Sequence, residues 1–271
     1  MNTHRRPRGN AIALTASALL GLGMLAGCTF GGSSASPAGA SARAASGTPS
    51  ASGPVVSAPR LLSAALAALR AGGSVHVDIT SVAHGGSVAF SDDATGRGGR
   101  QVVTIDGDGH ATILLIDGVD YVQADAQGLQ ALFDVPVAQA EQAAGQWISL
   151  RPGEKLGTST YDDVTAGITL SSVATELQLG SPLSKTAPAT VAGQPVIGVQ
   201  APLPASDGLR GAKMVLYVTD GPALRPVRYE LVGGGSTQNT ISFSRWGEKL
   251  TLTAPANAVP ASSLTSGSVT V

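Results

Sequence analysis

Residues Gln101–Asp125 read QVVTIDGDGHATILLIDGVDYVQAD. Three runs rich in Val, Ile, Leu and Tyr are separated by Gly107-Asp108-Gly109 and Asp117-Gly118. Such short Gly/Asp turns join antiparallel neighbours, because a parallel crossover needs about a dozen residues or more. The pattern continues in both directions. Upstream, SVHVDITSV alternates Val75, Val77 and Ile79 with His76, Asp78 and Thr80, and His84-Gly85-Gly86 turns the chain into GSVAFSD. Downstream, QPVIGVQA, AKMVLYVTD, RPVRYELV, NTISFSRW and KLTLTA read as five more strands.

Helical signals bracket and interrupt these strands. SAPRLLSAALAALRAGG places Leu61, Leu62, Ala65, Leu66 and Leu69 on one helical face, with Ser57 as N-cap, Pro59 in the first turn and Gly72 as the stop. In the middle, GLQALF and VAQAEQAAGQW read as short helices or loops. ITLSSVATELQLG reads as a helix with Leu170, Val173, Ala174 and Leu177 on one face, closed by Gly180. The order is a helix, about five strands, a helical middle and about five strands. The fold class is therefore α+β: a single curved antiparallel sheet, with helices packed against one face.

Two strands break the expected alternation. In TILLI, Ile113 and Leu115 oppose Leu114 and Ile116; in MVLYV, Met214, Leu216 and Val218 oppose Val215 and Tyr217. A sheet with one solvated face alternates apolar and polar residues. Either these strands are covered on both sides, or one face is an apolar concavity that holds a greasy ligand.

The N-terminus carries a separate message. MNTHRRPRGN holds Arg5, Arg6 and Arg8 without an acid, and AIALTASALLGLGMLA follows. A basic segment ahead of an apolar one is an export signal, and the apolar stretch is shorter than the roughly 20 residues of a spanning helix. Arg5-Arg6 leaves both general and twin-arginine export open. The run ends in Leu25, Ala26, Gly27 and Cys28, and Cys28 is the only cysteine. This LAGC resembles the bacterial lipobox, which implies lipid addition to the thiol of Cys28 and cleavage just before it. An unpaired cysteine excludes an internal disulfide. Residues 1–27 thus read as a lipoprotein signal peptide. Residues 28–56, the lipidated cysteine and a Gly/Ser/Ala/Pro stretch whose one charge is Arg43, read as a flexible tether spanning roughly 30 Å. Residues 57–260 are the folded domain and 261–271 a disordered C-terminal tail.

Composition narrows the function. Net charge is −1 and only 13% of residues are charged, with no basic stripe, so nucleic acid is not a partner. There is no G-x-S-x-G, H-E-x-x-H, P-loop or dinucleotide fingerprint, so no enzyme, cofactor or metal site is expected. His76, His84 and His110 lack ligand spacing. Asp106, Asp108 and Asp117 fall at positions 1, 3 and 12 of an EF-hand count, but Ala111 takes the place of the required glycine, so the stretch reads as a hairpin. Asp162-Asp163 open a helical stretch, where acids suit the N-terminus whatever the function.

From about Leu61 to Pro260 the chain resembles the actinobacterial LppX/LprG-type lipoproteins, which have a LolA-like fold. The residues that carry the likeness are DGVDYVQAD, Trp147 in GQWISL, VAGQPVIGVQA, LYVTDGPALRPVRYEL and SFSRWGEKLTLTAPANAVP. The resemblance implies a half-barrel around helices with a cavity for a lipid or glycolipid. Leu170, Val173 and Leu177, with Leu129 and Phe133, are the candidate cavity residues. It implies a lipid-anchored protein on the extracytoplasmic side of the cell membrane that carries or chaperones its ligand, with a membrane transporter as a candidate partner. The alternative is a structural or sensory lipoprotein that binds a protein and no lipid, and a hydrolase with a dispersed triad is a third class.

Overall fold

The structure is a computed structural model that describes residues 56–83, 86–106, 109–177, 179–203, 209 and 211–265. The signal, lipobox and tether, including Leu25, Ala26, Gly27 and Cys28, lie outside the described residues.

Helix α1 (Ala58–Ala71) leads into a meander of β1 (Ser74–Ala83), β2 (Gly86–Thr95), β3 (Gly99–Ile105), β4 (Gly109–Ile116) and β5 (Val119–Ala124). Next come α2 (Ala126–Phe133), α3 (Val137–Ala143), β6 (Trp147–Leu150), the small hairpin β7 (Lys155–Leu156) and β8 (Ser159–Thr160), α4 (Tyr161–Thr165) and α5 (Leu170–Glu176). The chain then forms β9 (Ser184–Lys185), β10 (Ala189–Val191), β11 (Gln194–Pro202), β12 (Lys213–Thr219), β13 (Pro226–Val232) and β14 (Gln238–Ser244), and ends in β15 (Val259–Pro260) and α6 (Ala261–Thr265).

All strands except β7 and β8 join one open, curved, 13-stranded sheet in the order β10-β11-β12-β13-β14-β1-β2-β3-β4-β5-β6-β15, with β9 also on β11. Every pair is antiparallel except β15 on β6. Two meanders thus meet along β1 and β14, where Val77 faces Phe243 and Ile79 faces Ile241. The open antiparallel sheet with helices on one face is the fold class that the strand and turn pattern predicts.

Alternation fixes the buried face. Val75, Val77, Ala94, Val103, Ile113, Val122, Ile148, Val199, Leu216 and Phe243 are all buried there. The helices divide that face. Helices α1 and α5 cover β11 to β14 and β1, where Leu61, Leu69, Leu170, Val173 and Leu177 pack with Leu216 and Tyr229. Helices α2 and α3 cover β3 to β6, where Leu129, Phe133 and Ala140 pack with Ile113, Val122 and Ile148.

Three expectations change. KLTLTA does not form a strand: residues 248–258 belong to no strand or helix. Strand β14 already has β13 and β1 on its two edges, so the chain leaving it finds no partner until Val259 reaches β6. The helix over ITLSSVATELQLG is shorter than its apolar spacing suggests, ending at Glu176. The domain also continues past Pro260. Residues Ala261–Thr265 are helical, and Ala261 is buried among the residues around Leu129. Of the expected tail, residues 266–271 lie outside the described residues.

One glycine is required by a close approach. Gly157, between β7 and β8, has φ +59, and a Cβ there would lie 1.8 Å from the Phe133 carbonyl oxygen at the end of α2. Gly157→Ala should lower stability by about 2 kcal/mol or more, read as the midpoint of a urea titration.

Candidate functional site

The five residues expected to line one cavity are buried in two different places. Leu170, Val173 and Leu177 project from α5 and the residue after it into the packing around α1. Leu129 and Phe133 project from α2 into the other cluster. All five are at most 4% exposed, and none lines either of the two cavities described below.

The two-faced strands resolve in the same way. Ile113 and Leu115 face the helices; Leu114 on the opposite face is also buried, at 9% exposure, beside Arg100 and Tyr121 on the flanking strands. On β12, Leu216 and Val218 face α1 and α5, whereas Val215 is buried on the reverse side, close to where Thr186 approaches Gly198.

Between the two apolar clusters runs a polar seam. Asp92 on β2 pairs across the sheet with Gln101 on β3 and Val77 on β1. It has no solvent exposure. Its Oδ2 accepts from Gln101 Nε2 at 3.4 Å, and its Oδ1 has no partner among the described residues. Glu176, the last residue of α5, reaches the same place from the helix side. A Cβ on Gly167 would lie 3.5 Å from Glu176 Oε1 and 3.7 Å from Gln101 Nε2. Tyr229 on β13 is 1% exposed, and its hydroxyl also lacks a partner.

Burial dominates the electrostatics. Desolvation pushes Asp92 well above the usual carboxylate range against the opposing pull of Gln101, and Glu176, Asp78 and Asp93 add to the rise. Desolvation alone lifts Glu176 to about 7. The Tyr229 phenol is raised by burial and then by the nearness of Glu176. A neutral carboxyl can be buried at far lower cost than a carboxylate, and it gains a proton to donate.

Asp120 repeats this inside the other cluster. It is fully buried, and burial lifts it to about 7 despite the Thr165 hydroxyl. Thr165 Oγ1 is 2.7 Å from Asp120 Oδ2 and 2.8 Å from the Tyr161 carbonyl oxygen. The hydroxyl has one proton for two acceptors. A protonated Asp120 resolves the conflict, donating to Thr165 while Thr165 donates to Tyr161. Capping boxes at Thr160/Asp163 and Thr169/Ser172 fix α4 and α5 beside these groups. Asp163 is held below the ordinary carboxylate range, first by its hydrogen bonds from Thr160.

The histidines are placed on the opposite face or outside the described residues. His76 Nδ1 is 2.7 Å from Asp93 Oδ1 and its Nε2 is 3.2 Å from Asp78 Oδ1. Arg245 donates to Asp93 at 3.0 Å and also touches His76 Nδ1. His110 Nδ1 lies 3.3 Å from Thr104 Oγ1, and His84 is not described. No Ser–His hydrogen bond occurs among the described residues. Nor does any group of three His, Cys, Asp or Glu there suit a metal, and no described helix is long and apolar enough to cross a membrane.

Two cavities lie at the rims of the clusters, among the described residues. One, of ≈ 350 Å³, lies where the β12–β13 turn meets the end of β14. The other, of ≈ 320 Å³, lies between the α2–α3 junction, the β7–β8 hairpin and α6, with Asp134, Lys155 and Leu264 among its walls.

The sequence pattern locates the buried strands but not the seam. Two signals were present. In FSDDAT, Asp92 falls in phase with the inward Val88, Phe90 and Ala94, and in GVDYVQA, Asp120 falls in phase with Val122 and Ala124. An acid in phase with the buried residues of a strand marks a neutral or partnered group.

No protein-family profile matches the chain, and no curated protein sequence matches it. Among solved structures, the chain is similar to the Mycobacterium tuberculosis lipoprotein LppX: TM-score 0.44, 15% identity, covering 71% of this chain and 98% of that one. A DUF1329 family protein from Desulfovibrio piger is also similar, with TM-score 0.28 and 8% identity, covering 72% of this chain and 95% of that one.

Proposed function

We propose that this chain is a lipoprotein anchored through Cys28 on the extracytoplasmic side of the cell membrane, and that it binds a lipid or lipoglycan between its sheet and helices and carries or chaperones it. The observation that carries the reading is the pairing of two features: LAGC at residues 25–28, and a sheet whose helix-covered face is apolar across both meanders. Dividing the helical cover along a polar seam leaves a natural line for the halves to part. The ligand space opens there, with Leu170, Val173 and Leu177 on one wall and Leu129 and Phe133 on the other.

The anchor is tested by phase partitioning. The wild-type protein should enter the detergent phase at its processed size, and Cys28→Ala should stay aqueous or unprocessed. The binding half is tested by Val173→Trp. An indole at position 173 should occupy the space that opens when the halves part, and so exclude co-purifying lipid. A solid core would instead be overpacked at a cost of about 1–3 kcal/mol, with no lipid in mutant or parent.

A further inference from the structure

The cavity at the β12–β13 turn combines a cation with two aromatic rings. Its walls include Thr219, Pro222, Arg225, Val227, Phe243 and Trp246, and no carboxylate lines it. The Arg225 guanidinium carbon lies 5.4 Å from the centre of the Trp246 ring. The Trp246 ring in turn stacks beside Phe243, with ring centres 6.4 Å apart. Arg228 and Arg245 have carboxylates within reach. Arg225 has none among the described residues, and its side-chain donors meet no acceptor there. A guanidinium on an aromatic face keeps its in-plane N–H groups free, in the fork that matches a phosphate or carboxylate.

The Arg225 backbone and the Trp246 ring are held in place before any ligand arrives. Thr219 clamps Arg225 twice: the Thr219 N–H donates to the Arg225 carbonyl at 2.9 Å, and the Arg225 N–H donates to Thr219 Oγ1 at 3.0 Å. The residues just before Arg225 and Trp246 are Leu224 at φ 44 and Arg245 at φ 47. Bulky side chains seldom adopt this left-handed backbone, and such strain gathers at functional sites. Trp246 is then fixed from behind by Gly72, where a Cβ would sit 2.9 Å from the ring, and by the Gly247 N–H donating to the Ser74 carbonyl at 3.0 Å.

The position matters as much as the composition. Phe243 belongs to the apolar cluster beneath α1 and α5, and Trp246 and Leu224 pack on its edge. One wall of the cavity is therefore the outer side of the apolar interior, and its rim is the exposed Arg225. We infer that this cavity is the binding site for the head of an anionic amphiphile: Arg225 pairs with its phosphate-type group, and the first carbons of its apolar part lie against Trp246, Phe243 and Val227. This rests on the reading that the chain binds an amphiphile, and adds the charge of the head and the place where it enters.

The test uses the full chain carrying Trp147→Phe, so that Trp246, the only other tryptophan, reports alone. Emission is followed during titration with hexyl phosphate, inorganic phosphate or hexanol. Hexyl phosphate should shift Trp246 emission and bind about tenfold or more tightly than either of the others. Arg225→Gln should reduce its affinity by about tenfold, while the urea midpoint falls by no more than an exposed cation–π contact accounts for. Trp246→Leu, followed by calorimetry, should weaken hexyl phosphate and leave hexanol weak. Equal binding of inorganic and hexyl phosphate would reduce the cavity to a site for free anions, and unchanged affinity in Arg225→Gln, or no binding at all, would overturn the proposal. These outcomes are separable from the cargo question: a protein that binds hexyl phosphate yet yields no extracted lipid keeps this site and loses the carrier reading.

Discussion

Urea should unfold this protein at a higher concentration at pH 5 than at pH 8. The reason lies in carboxyl groups without cationic partners: Asp120 and Asp92 fully buried, Glu176 half-buried. Asp120 and Glu176 both stand at about 7 in the folded chain, against ordinary values near 4 once unfolded. Between those limits the folded state holds protons that the unfolded state has released, so stability falls as pH rises. The contribution is intact below the unfolded values and is lost as pH passes through about 7. Each group is worth up to about 3–4 kcal/mol over that window, and Asp92 acts in the same direction. The exposed Asp163 has the opposite shift, so its effect appears only on going below its unfolded range. Asp120→Asn and Glu176→Gln keep the shape and remove the charge. Each should flatten the pH profile and raise the midpoint at pH 8. A wild-type profile that rises from pH 5 to pH 8 would show these groups to be ionised and partnered.

Large-to-small substitutions should reveal two cores rather than one. Leu177 is fully buried beside α1, and Phe133 is 3% exposed in the cluster under α2. Leu177→Ala should cost about 2–5 kcal/mol and Phe133→Ala about 3–5 kcal/mol. Because the two side chains belong to separate clusters with no shared buried residue, the double variant should equal the sum of the singles to within about 0.5 kcal/mol. Coupling of 1 kcal/mol or more, read from urea titrations of all four proteins, would mean that the clusters communicate through direct packing.

The parts of the fold that were legible in the sequence are those set by neighbours along the chain. Gly107 to Gly109 and Asp117-Gly118 separate three apolar runs, so β3, β4 and β5 could be read as consecutive antiparallel strands. Ser57, Pro59 and Gly72 bound α1 where the structure has it. KLTLTA was misread because alternation says nothing about whether a sheet edge is free, and both edges of β14 are taken. The five proposed lining residues were found as apolar positions. That they divide between two clusters depends on which half of the sheet each helix covers, and helical spacing does not encode that. The Arg225–Trp246 pair was invisible for a similar reason. Its members flank β13 and β14 at the open end of that hairpin, and they meet through the pairing that sets Arg228 opposite Ser242, a register that the residues around them do not announce.

The account's central claim is that a lipid occupies the space between sheet and helices. The most direct test is mass spectrometry of the non-covalent lipid released by solvent from the untagged protein purified from its native cells, with Val173→Trp prepared alongside. The account predicts one defined lipid class at close to one molecule per chain, carrying an anionic head, and its loss from Val173→Trp at unchanged yield. Only stray membrane lipid, in equal and low amounts from both proteins, would contradict it.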